Sequence, residues 1–190
     1  LKSICVFCGS SRGKEPLFAE EALVLGKAIA ERGLSLVYGG GNVGLMGILS
    51  SAVMEAGGRV VGVIPSDLSR EVPHRDITEL HFVSSMHERK SKMYSLSDYF
   101  CVLPGGFGTL DEFFEVLTWF QLGLHNKPIA LYNIGRFFDS LIAFLNNLCS
   151  LGFVRREYLD NLIIADTPAL LFREMETYKP PALGGKIELK

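Results

Sequence analysis

The sequence predicts an α/β fold in which a doubly wound parallel sheet of about seven strands carries helices on both faces. Three observations lead there. Short apolar, β-branched or aromatic runs alternate with helical periodicity along most of the chain. Each run is bounded by Gly, Pro, Asn or Asp. Three runs end in glycine-rich segments, the usual connection from a strand into a helix.

The elements follow in order. A strand over 3–8 leads through Cys8-Gly9-Ser10-Ser11-Arg12-Gly13 to a helix over 16–32, which Gly33 stops. A strand over 34–38 leads through Gly39-Gly40-Gly41-Asn42-Val43-Gly44 to a helix over 43–55, stopped by Gly57-Gly58. Strands over 59–64 and 79–83 come next, then a helix over 86–96 and a strand over 99–103. Pro104-Gly105-Gly106-Phe107-Gly108-Thr109 leads into a helix over 110–122, and a strand over 128–132, a helix over 136–148, a strand over 162–165 and a helix over 167–178 complete the pattern. One domain over 1–178 is expected, with an irregular tail over 179–190 that carries Pro180-Pro181 and Gly184-Gly185. Internal repeats are absent.

Composition narrows the function. The 190 residues are 48% hydrophobic and 21% charged, with 19 Lys plus Arg against 21 Asp plus Glu, so the net charge of −2 offers no bulk attraction to nucleic acid or to an anionic membrane. A local basic pocket remains possible. No apolar run reaches the roughly 18 residues of a membrane span, and the apolar stretch after Leu1-Lys2-Ser3 is too short for a signal peptide, so a cytoplasmic enzyme is expected. Of the four cysteines, Cys5, Cys8, Cys101 and Cys149, three lie inside or at the end of apolar runs, where cysteine serves as a small buried hydrophobe. Cys5 and Cys8 have redox-motif spacing, but on a strand residues three apart face opposite ways. The four histidines show neither an i,i+4 pair nor zinc spacing.

The helix after Thr109 is apolar around nearly its whole circumference, through Leu110, Phe113, Phe114, Val116, Leu117, Trp119, Phe120 and Leu122. Either it is wedged between sheet and neighbouring helices or a second subunit covers it. A homodimer with this helix at or near the interface is expected.

In a parallel sheet all strand C-termini share one edge, so the three glycine-rich segments converge on one crevice and offer backbone N–H groups and helix N-termini to an anion. A nucleotide phosphate is the natural ligand. The first segment is no Walker A motif, being one residue short and having Glu15 after Lys14. The second satisfies G-x-G-x-x-G through Gly39, Gly41 and Gly44, with Asp67 further on, and keeps a dinucleotide site open. That reading leaves the third segment without a role. Thr109 and Glu112 there have capping-box spacing; alternatively, Glu112 projects into the crevice, where a carboxylate stabilises an oxocarbenium-like centre or activates water during glycosidic cleavage. Arg89 and Lys90 lie at a helix start, where cations oppose the macrodipole, which points to a bound anion and to a pairing of Arg89 with Glu112.

With Cys8-Gly9-Ser10-Ser11, Gly39-Gly40-Gly41-x-x-Gly44-Leu45-Met46-Gly47, Met86-His87-Glu88-Arg89-Lys90 and Pro104-Gly105-Gly106-x-Gly108-Thr109-x-x-Glu112, the sequence resembles the Lonely Guy (LOG) family of cytokinin riboside 5′-monophosphate phosphoribohydrolases, long mislabelled lysine decarboxylases. The resemblance covers most of the chain. It implies a Rossmann-like fold, usually a dimer, that hydrolyses the N-glycosidic bond of AMP or N6-prenylated AMP to free base and ribose 5-phosphate. By position, Arg89 and Glu112 are the implied catalytic pair. Lys90, Gly105, Gly106, Gly108 and Thr109 are implied to hold the phosphoribosyl part, Glu71 to touch substrate, and Gly9, Ser10, Gly40 and Gly41 to line the nucleotide pocket. Asp111 replaces a glutamate common beside the catalytic one, with little consequence expected. His74 stands where many members have alanine. The family uses neither metal nor pyridoxal phosphate, so no cofactor is expected. Outside the resemblance, a non-catalytic purine-nucleotide-binding module and an NAD(P)-dependent enzyme remain open; neither needs the pair Arg89 and Glu112.

Overall fold

The computed structural model describes residues 2–67, 73 and 76–180. Seven strands form one all-parallel sheet: β1 (Ser3–Phe7), β2 (Ser35–Tyr38), β3 (Arg59–Pro65), β4 (Glu79–Val83), β5 (Tyr99–Val102), β6 (Ile129–Tyr132) and β7 (Leu162–Ala165), in the order β4-β3-β2-β1-β5-β6-β7. All seven strands stand within two residues of their expected bounds. The helices are α1 (Pro16–Glu31), α2 (Gly44–Glu55), α3 (Met86–Ser95), α4 (Phe107–Gln121), α5 (Asp139–Ser150), α6 (Arg156–Leu159) and α7 (Pro168–Thr177), with a 3-10 turn over Ile134–Arg136.

Every residue of β1 is buried, because the strand presents Ile4 and Val6 to one core and Cys5 and Phe7 to the other. α1, α2 and α7 cover the first face and α3, α4 and α5 the second. Cys5 and Cys8 accordingly lie in different cores, as expected of residues three apart on a strand, and burial pushes both thiols up. α1 and α2 cross at Gly26, where a Cβ would stand 2.7 Å from Ala52 Cβ and 2.8 Å from the Leu49 carbonyl. No helix among the described residues is long and apolar enough to cross a membrane.

Two helix starts differ from expectation by three residues. α4 begins at Phe107 rather than 110, with Gly106 as N-cap. α5 begins at Asp139 rather than 136, because Asn133 Oδ1 accepts from the Phe138 N–H at 2.7 Å and holds an intervening turn in which Arg136 has φ 63°. The chain's own core covers one side of α4 through Phe113, Val116 and Phe120, while Phe114 and Leu122 stay exposed.

Candidate active site

Strand order reverses between β1 and β5, so the connections leaving those strands diverge at the C-terminal edge and open a crevice. The glycine-rich segments meet there. The Gly9 N–H donates to the Pro104 carbonyl at 3.0 Å, and the Leu45 N–H donates to the Gly9 carbonyl at 3.0 Å. Between the first and third segments lies a groove of about 240 Å³ with Ser10, Arg12, Phe18, Gly105, Gly106 and Phe137 among its walls.

The third segment ends in a helix N-terminus with no side-chain cap. Nothing lies within 4 Å of a Cβ built on Gly106 or Gly108, so no protein side chain crowds these two positions, and the first N–H groups of α4 have no partner within the helix. Gly105 is different: a Cβ there would stand 2.1 Å from Thr109 Oγ1, and its absence lets the loop fold back on its own helix. Because α4 starts at Phe107, Thr109 sits within the first turn and Glu112 in the second. The capping-box reading of this pair is therefore excluded.

Glu112 reaches across to Arg89 instead. Arg89 Nη1 donates to Glu112 Oε1 at 2.8 Å, Nε donates to the Val63 carbonyl at 3.1 Å, and the side chains are only 12% and 9% exposed. The start of α3 is fixed by Ser85, whose Oγ accepts from the Glu88 N–H at 3.2 Å, while the Glu88 carboxylate accepts from the Ser84 N–H at 2.7 Å. Arg89 follows directly. Burial raises the Glu112 carboxyl above the ordinary glutamate value, and the guanidinium of Arg89 pulls the other way without cancelling it.

Gly39 makes room for this arrangement, since a Cβ on it would stand 2.0 Å from Arg89 Nη2. The rest of the second segment is packed against protein. Gly40 and Gly41 are both buried, the former against Val63, Ile64 and Leu80 and the latter against Met46. A Cβ on Gly44 would meet the Ser10 and Ser11 backbone at 2.2 to 2.5 Å. The first segment thus occupies the space where a dinucleotide's pyrophosphate would approach this G-x-G-x-x-G, and the second segment leaves β2, away from the strand-order reversal. The dinucleotide reading fails on both counts.

Lys90 is engaged by protein: its Nζ stands 3.2 Å from Asp111 Oδ2 and 3.0 Å from Glu115 Oε1. Burial lowers the ammonium and the two carboxylates more than restore it, leaving it raised. Glu115 and the Val63 carbonyl are site groups that sequence reasoning missed. The i,i+4 spacing of Asp111 and Glu115, facing adjacent cations at 89 and 90, was the available signal for the first; a backbone carbonyl has none. Ser10 is exposed at the crevice and Gly9 lies buried beneath it. Glu71 and His74 lie outside the described residues; Pro73 pairs with Gly41.

Residues 46–175 match the family described as "Possible lysine decarboxylase". The chain is 45% identical over 180 residues to the cytokinin riboside 5′-monophosphate phosphoribohydrolase LOG of Oryza sativa subsp. japonica, covering 94% of this chain and 74% of that protein. It is 46% identical over 180 residues to LOG7 of Arabidopsis thaliana, covering 94% and 83%. The chain belongs to the LOG family. Among solved structures, the molybdenum cofactor binding protein of Rippkaea orientalis matches with a TM-score of 0.71 at 24% identity, over 93% of this chain and 97% of that one. At that identity the likeness carries the fold, a Rossmann-like sheet that this LOG-family chain shares.

Proposed function

We propose that this chain hydrolyses the N-glycosidic bond of a cytokinin riboside 5′-monophosphate, and of AMP, to the free base and ribose 5-phosphate. The observation that carries the reading is the Arg89–Glu112 pair, nearly buried beside an uncapped helix N-terminus. In this reading the 5′-phosphate lies on the first turn of α4, against the N–H groups around Gly106, Gly108 and Thr109, with Gly105 allowing the loop's close return. The C1′–N9 bond then breaks with its electron pair passing to the purine, which takes a proton. Glu112 offsets the oxocarbenium-like charge at C1′ and accepts a proton from the water whose oxygen bonds there. Arg89 orients that carboxylate and contacts the phosphoribosyl group. Glu71 is assigned to substrate contact and Ser10 to the pocket rim.

A homodimer formed through Phe107, Phe114 and Leu122 accompanies this proposal, supported by the exposure of these side chains on α4 and its C-cap. The cytoplasm is the proposed location. The test is product analysis after incubation with AMP and with N6-isopentenyl-AMP. Free base with equimolar ribose 5-phosphate is the expected result; intact nucleotide in both reactions refutes the proposal.

A further inference from the structure

Asp111, Glu112 and Glu115 stand at i, i+1 and i+4 on α4, so three carboxylates share one side of one helix. Like charges at such spacing repel unless cations come between them. Two do, from adjacent positions on α3: Arg89 takes Glu112 at 2.8 Å, and Lys90 takes Glu115 at 3.0 Å and Asp111 at 3.2 Å. The Lys90 side chain is 12% exposed and Glu115 is 23% exposed, so their contact is largely shielded from solvent, whereas Asp111, 61% exposed, meets Lys90 from the solvent side. At its far end α3 is fixed to α4 by the edge of Tyr94 against Trp119, with ring centroids 5.1 Å apart. Its near end is capped by Ser85 and tied to β3 through Arg89 Nε and the Val63 carbonyl, and it meets α4 through the ionic contacts.

We propose that Lys90, held by Asp111 and Glu115, is a positioning residue that sets the spacing of the Arg89–Glu112 pair and not a ligand of the substrate phosphate. This rests on the phosphoribohydrolase reading above. It also gives the aspartate at 111 a role, because its carboxylate, though shorter than glutamate's, still reaches Lys90. Glu112 is faced by Arg89 and Lys90 from α3, by Asp111 on its own helix, and by the thiols of Cys5 and Cys8 from β1. Removing Lys90 deletes a cation and leaves Asp111 unneutralised, which raises the Glu112 carboxyl. Removing the two carboxylates while keeping Lys90 lowers it.

The experiment measures kcat, KM and the pH dependence of kcat on AMP for wild type, Lys90→Met, Lys90→Arg and the double variant Asp111→Asn/Glu115→Gln. Positioning predicts that Lys90→Met and the double variant each lose about 10- to 100-fold in kcat with KM within about 3-fold. The acidic limb moves to higher pH in Lys90→Met and to lower pH in the double variant. Lys90→Arg, whose fork spans both carboxylates, recovers kcat to within about 5-fold of wild type. A phosphate ligand predicts the opposite split: KM more than about 10-fold higher in Lys90→Met at unchanged kcat, and a double variant that behaves as wild type. That outcome overturns the inference. Wild type that releases no base overturns the phosphoribohydrolase reading itself, and the inference with it.

Discussion

Arg89 and Glu112, 23 positions apart in sequence and on different helices, meet at 2.8 Å with both side chains nearly buried. Breaking such a pair from one side leaves an uncompensated charge behind. Arg89→Ala is expected to destabilise the protein by on the order of 3 kcal/mol at pH 8 and to weaken both AMP binding and turnover. The stability loss shrinks as the pH is lowered to 5, because Glu112 takes up its proton at a higher pH than an ordinary glutamate. Thermal unfolding at the two pH values checks this, and a loss independent of pH contradicts it.

The raised carboxyl of Glu112 gives the pH dependence a definite sign. On the proposed reaction turnover requires the ionised form, so kcat is expected to climb with pH through a value above that of an ordinary glutamate. For stability, the folded state holds this proton to higher pH than the unfolded chain does. The contribution is therefore present below the unfolded-state value and lost as pH rises through the folded-state one. The melting temperature of Glu112→Gln relative to wild type is expected to move in favour of the variant between pH 5 and pH 8. Parallel pH profiles of the two melting temperatures refute this.

Gly39 and Gly44 are expected to fail differently when changed to alanine. At Gly39 the new Cβ meets the movable end of Arg89, so the fold survives and kcat drops about 100-fold. At Gly44 it meets the backbone of Ser10 and Ser11 in a residue with φ 58°, so the protein itself is destabilised. Far-ultraviolet circular dichroism with kinetics separates the two. Equal melting temperatures for both variants contradict the account.

Gly108→Ala tests the phosphate site. Its Cβ meets nothing within 4 Å and lies in the first turn of α4, so stability is expected to hold or to rise by up to about 1 kcal/mol. KM for AMP is nonetheless expected to rise several-fold, because the methyl enters the space assigned to phosphate. An unchanged KM removes Gly108 from that site.

The sheet was legible because its strands are short apolar runs bounded by turn residues, and burial on both faces demands that pattern. The pairing of Arg89 with Glu112 was legible because each residue carried a cost or choice that local structure alone left open: a cation at a helix start and a carboxylate after a glycine-rich turn. The start of α4 was not, because Gly106 and Gly108 are poor helix formers and Thr109 imitates a cap. α6 over Arg156–Leu159 spans about one turn, too short for periodicity to register. The burial of Gly40 and Gly41 was equally hidden, since a glycine that packs against protein and one that faces a ligand read alike in sequence.

On the proposed reaction Glu112 performs the chemistry and contributes little to holding the nucleotide. Paired measurements on wild type and Glu112→Gln, AMP affinity by calorimetry and base release by chromatography, test it most directly. The expected result is turnover lowered by at least about 1,000-fold with the dissociation constant within a few-fold of wild type. A variant that still releases base at the wild-type rate would contradict the account.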